Sequence, residues 1–95
     1  MDLNTLQKKI MERHAGMGMH WNNPAEIVLS ITEELGEVAK EVALFEKIGN
    51  KVNWKRSPDK DLLSEEMTDL LITAISLATH YDINISELME NRLKR

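Results

Sequence analysis

At 95 residues and 42% hydrophobic content, the chain has material for one domain, spanning 1–95, with a thin core. The lack of cysteine excludes disulfides and thiolate metal sites, and a net charge of −4 argues against a general nucleic-acid binder. No apolar run approaches the ~20 residues of a membrane span, and the opening "MDLNTLQKKI" lacks a signal peptide's apolar core, so a cytoplasmic protein is expected.

Helical periodicity runs the whole length. Leu3, Leu6 and Ile10 share one face of a short first helix that should end near Gly16, followed by the connector "GMGMHWNN". Asn23-Pro24-Ala25-Glu26 then supplies an N-cap, a proline at the first helical position and a capping-box glutamate. From there Val28, Ile31, Leu35, Val38, Val42 and Phe45 alternate in steps of three and four, which predicts a long helix with that stripe as its core face and a stop at Gly49. The segment "NKVNWKRSPDK" reads as a basic loop. Ser57-Pro58 repeats the cap-and-proline device, with Asp59 and Asp61 favourable at a helix N-terminus. The second long helix carries Leu63, Met67, Leu70, Ala74, Leu77 and Tyr81 as its stripe, and Asn84 to Glu87 opens a last short helix. The class is all-α: four helices, two long and two short, in a flat arrangement that oligomerisation would complete.

The chemistry concentrates in two similar pentads, "EELGE" at 33–37 and "EEMTD" at 65–69. Glu34 and Glu37 each precede a stripe residue of the first long helix, and Glu66 and Asp69 each precede one of the second. The four acids thus share one angular offset, and antiparallel packing along the stripes would bring both pairs to one edge of the seam. Four carboxylates there repel unless a cation neutralises them, and Mg²⁺, or Mn²⁺, is the hard ion that oxygen ligands suit. The plainer reading is two solvated acidic faces, but duplication at matched offsets favours the metal. A di-iron bundle is disfavoured because His14, His20 and His80 each lack a glutamate three residues before. Glu33 and Glu65 point further round. Glu41 continues the Glu34–Glu37 edge as a further ligand, a water-activating base, or a surface residue.

The pentads, with 28 residues between Glu37 and Glu66, resemble the EExxE…ExxD signature of the MazG-type nucleotide pyrophosphohydrolases, of the all-α NTP pyrophosphatase superfamily. The resemblance extends over "ITEELGEVAKEV" and "LLSEEMTDLLITAISLATHYDINISEL", with Met67-Thr68 where Leu-Gly is common. It implies hydrolysis of a nucleoside triphosphate between the α and β phosphates, with Glu34, Glu37, Glu66 and Asp69 as Mg²⁺ ligands. Glu37 is then the preferred group to orient or deprotonate water, with Glu41 behind it. It also implies basic side chains on the phosphates, drawn here from Lys47, Lys51, Lys55, Arg56, Arg92, Lys94 and Arg95. His20, Trp21 and Trp54 are candidates for holding the base, and Tyr81, on the stripe, is expected in the core. A homodimer or dimer of dimers is expected, without nucleic acid or membrane. Two other readings stand beside this one: a non-catalytic helical interaction module, and the same fold acting on another pyrophosphate-linked metabolite such as a phosphoribosyl-linked intermediate.

Overall fold

Capping chemistry sets where the helices begin. In the computed structural model, which describes residues 1–15 and 23–94, with the side chains of 1–13 and 23–94, α1 spans Leu3–Ala15, α2 Pro24–Glu46, α3 Lys60–His80 and α4 Ile85–Leu93. A 3₁₀ turn, Gly49–Lys51, lies between α2 and α3, and no strand occurs among the described residues. Asn23 Oδ1 accepts from the Ala25 amide at 3.0 Å with Pro24 at the first helical position, and Asn84 Oδ1 accepts from the Glu87 amide at 3.1 Å, as the sequence signals require.

The start of α3 differs from expectation. Asp59, not Ser57, is the cap, and its Oδ1 accepts from the amides of Asp61 and Leu62 at 2.9 and 3.4 Å. A carboxylate serves two amides and brings a full negative charge to the positive helix end, which a serine hydroxyl cannot match. Pro58 is left outside. The end of α2 also shifts, to Glu46. Lys47 takes the left-handed conformation (φ 53°), and the amides of Lys47 and Ile48 both reach Ala43 O. α3 ends the same way: Asp82 has φ 56°, its amide bonds Thr79 O, and the Ile83 amide bonds Ala78 O at 2.8 Å. Both are Schellman-type reversals.

α2 and α3 form the main pair and run antiparallel, since Glu34 lies near Asp69 and Thr73 while Glu41 meets Arg56, before α3. α1 packs on α3 and α4. Gln7 fastens it there: its amide nitrogen donates to Ile83 O at 2.7 Å and its amide oxygen accepts from Ile85 N–H at 3.2 Å.

The buried residues shift the expected stripe on α2, of which Ile31 and Val38 are half-buried as expected and the other four members are not. Ile10, Ile27, Leu44 and Ala78 are buried, together with Glu41, Thr73 and Ser76. On α2 the inward row is Ile27, Glu34, Glu41, seven apart, with Leu44 at its end, whereas Val28, Leu35, Val42 and Phe45 are exposed, Leu35 to 55%. The helix is turned by about one residue, ~100°, from the predicted orientation. On α3, Leu63, Leu70 and Leu77 are half-buried as expected, but Met67, Ala74 and Tyr81 are exposed, and the face against α2 is hydroxyl-rich. Small Thr73 and Ser76 permit close helix approach. Their hydroxyls donate back to Asp69 O and Ile72 O, so burial leaves neither one without a partner. The result is a slab of 44 × 37 × 21 Å whose radius of gyration, 15.8 Å, exceeds the ~12 Å of a compact chain of this length.

Candidate functional site

Turning α2 inward places Glu34 in the α2–α3 seam rather than at its edge. Its Oε2 is enclosed and has no hydrogen-bond partner among the described residues. Burial raises its pKa above the ordinary glutamate value, and the nearby carboxylates of Asp69, Glu66 and Glu33 push the same way; the adjacent Thr73 hydroxyl pulls it down. Glu66 is half-buried and Asp69 exposed, the latter on a shallow groove with Ser64, Glu65 and Thr68. Three of the four expected acids therefore share one field.

Glu37 is turned out. It is exposed and pairs with Lys40 at 2.8 Å, a contact that lowers the Glu37 pKa. Among the described residues, accordingly, no three His, Cys, Asp or Glu side chains stand together as a closed ligand set. The donors present are all oxygens, and the enclosed Glu34 Oε2 is an atom that a cation would satisfy, so the residues suit a hard divalent cation.

Glu41 is not on the surface. It is 3% exposed and accepts two hydrogen bonds from Arg56 Nη2, at 3.0 and 2.7 Å. Both carboxylate oxygens are held by Arg56 and the group is shut off from solvent, so this position favours anchoring over water activation.

The substrate-side candidates are dispersed. His20 and Trp21 lie outside the described residues, as does Arg95. Trp54 is 46% exposed in the basic loop, with the Lys51 ammonium 3.4 Å from its ring centroid, so one ring face already carries a cation. Lys55 is exposed in the same loop. Arg92 sits in the last turn of α4, an element that packs on α1, and it forms no ion pair with the acids. Tyr81 is exposed and meets His80 edge-on, contrary to its expected core position.

Thr73 was missed from sequence. Its position seven residues after Glu66 and four after Asp69 puts it on the acid face of α3, and that spacing is the signal that marks it. Gln7 had no comparable signal, because its partners are backbone atoms of a distant turn.

The family model of the MazG nucleotide pyrophosphohydrolase domain matches residues 22–94. The chain is also 35% identical over 65 residues to the uncharacterized protein YpjD of Bacillus subtilis (strain 168). That match covers 68% of this chain and 56% of YpjD, so the chain spans little more than half the length of this relative. No solved structure matches at a significant level.

Proposed function

The chain belongs to the MazG nucleotide pyrophosphohydrolase family, whose members are divalent-metal-dependent hydrolases, and from that premise we propose that it cleaves a nucleoside triphosphate between the α and β phosphates. The products are a nucleoside monophosphate and pyrophosphate. The observation that carries the reading is the half-buried Glu34 carboxylate near Glu66 and Asp69, with one oxygen, Oε2, enclosed and unbonded among the described residues. A non-catalytic helix pair gains nothing from an acid there, because burial and like charges both oppose its ionisation.

In this reading Glu34, Glu66 and Asp69, joined by Glu37, hold Mg²⁺, with Mn²⁺ as a substitute. Glu37 has only a half-buried lysine to leave, in an i, i+3 pair whose carboxylate side is exposed. When bound, the ion neutralises phosphate oxygens and makes the phosphorus more electrophilic. Glu37, exposed on α2 one turn from Glu34, orients the attacking water and accepts its proton. Lys55 and Arg92 are the assigned phosphate contacts, and Trp54, with Trp21 and His20, holds the base.

A second copy of the chain is the proposed partner. Accessible surface is 7198 Å², against roughly 5,600 Å² for a compact monomer of this mass. The surplus is of the size that an obligate interface covers, and the exposed uncharged row Val28, Leu35, Val42 on α2 is the face assigned to it in this reading. The same exposed face is the observation that favours an interaction module. Screening NTPs and dNTPs with Mg²⁺ for pyrophosphate release, with Glu34→Gln and Asp69→Asn as controls, separates the two. Release by the wild type, lost in both variants, is expected. No release and no metal-dependent thermal stabilisation would leave the module reading.

A further inference from the structure

Glu41 is the one charged residue buried among the described residues. A carboxylate so enclosed is strongly unfavourable unless a cation meets it with hydrogen bonds. Arg56 does so, and from a distance in sequence: it belongs to the basic loop, fifteen residues on. Among the described residues, the hydrogen bonds from Arg56 are the ones that join residues 52–58 to α2. Within the loop, Trp54 N–H bonds Lys51 O at 3.1 Å and the Lys51 ammonium covers the Trp54 ring. The loop is thus ordered internally and moored to the helix at one point.

That point is aligned with the candidate site. Glu41 follows Glu34 by seven residues, so both lie on the same face of α2, ~10 Å apart along its axis, with Glu37 between them. Arg56 uses only Nη2 on Glu41. Its Nε and Nη1 groups make no hydrogen bond among the described residues, and the side chain is 38% exposed. Lys40, close enough to feel both charges of the pair, adds a second cation beside it. The unused N–H donors of a paired guanidinium therefore continue the seam from where the acids stop.

We propose that Glu41 is a positioning residue: it holds Arg56, and the loop with it, so that the free edge of the guanidinium receives the phosphates of the substrate furthest from the acids. The proposal rests on the nucleotide reading above. Such an arrangement divides the triphosphate chemically. One end meets oxygen ligands through a cation, and the other meets a planar fork of N–H donors suited to phosphate. It also removes Glu41 from acid–base chemistry and makes Arg56 a substrate contact.

The test is calorimetric binding of an α,β-imido nucleoside triphosphate and of a nucleoside monophosphate, each with Mg²⁺, to the full chain. Arg56→Gln should weaken the triphosphate analogue about tenfold or more. Glu41→Gln should weaken it by a smaller factor, and adding it to Arg56→Gln should do nothing further, because the two act as a unit. Monophosphate affinity should hold in all three. A purely structural role would instead lower thermal stability and change both affinities together. Unchanged triphosphate binding in folded Arg56→Gln overturns the proposal, as does independent addition of the two effects, or a loss confined to Arg56→Gln. If Glu41→Gln does not fold, Arg56→Lys takes its place, since it leaves Glu41 a cation but not the fork. It should bind the triphosphate several-fold more weakly, and wild-type affinity would overturn the proposal. A wild-type chain that neither binds the analogue nor cleaves the parent nucleotide removes the nucleotide reading itself. Wild-type binding with unaffected variants removes only this inference.

Discussion

Glu34 concentrates the tension in this molecule, an acid whose ionisation the fold opposes. Its pKa is raised in the folded chain by burial and by neighbouring carboxylates, so its protonated form is the one that folding favours. That contribution is fully present below the unfolded-state value and is lost as pH rises through the raised folded value. Glutamine in its place does not titrate. In a metal-free buffer, Glu34→Gln should therefore be more stable than wild type at pH 7, with the gap closing as pH falls into the ordinary glutamate range. Mg²⁺ should reverse the order by stabilising only the wild type. Urea unfolding from pH 4 to 8, with chelator and then with Mg²⁺, checks both halves; a variant less stable without metal throughout would contradict the account. Lys47 carries a different strain, a side chain at φ 53°. Lys47→Gly should raise stability by about 1 kcal/mol, the cost of a left-handed residue with a Cβ, read from the urea midpoint.

The helices were legible because caps and periodicity are local. Asn23 and Asn84 sit where their side chains must, and Glu34 of "EELGE" lies near Glu66 and Asp69 of "EEMTD" across an antiparallel pair, although Glu37 does not join them. What the sequence concealed was rotation. Val28, Leu35 and Val42 look like the core face because they are the most apolar row, yet α2 turns Ile27, Glu34 and Glu41 inward. The reason lies on α3, where Thr73 offers Glu34 a small hydroxyl that is itself bonded to Asp69 O. The apolar row is left for another surface, and a pattern does not say which partner it anticipates. Glu41 was unreadable for a related cause, since its burial depends on Arg56 returning from a loop. The attachment of α1 is likewise tertiary. Gln7→Ala removes both its bonds to the Ile83–Ile85 corner and should cost about 1 kcal/mol, with faster amide exchange in α1 than in α3 as the specific sign.

The molecule as a whole is a thin plate with an acid seam inside and an apolar row outside. Covering that row should be coupled to stability, so Leu35→Asp is expected to convert a dimer or larger assembly to monomer by light scattering and to lower the melting temperature. Wild-type chain that is already monomeric at micromolar concentration would contradict this. No helix among the described residues is long and apolar enough to cross a membrane. The plate carries its acid seam, a basic loop moored by Arg56 and the exposed Trp54. The central claim is that these serve cleavage between the α and β phosphates, and ³¹P NMR of the products tests it most directly. With Mg²⁺, the wild type should turn a nucleoside triphosphate into monophosphate and pyrophosphate in equal amounts, and Glu34→Gln should form neither. Diphosphate with orthophosphate, or equal turnover by the variant, would contradict it.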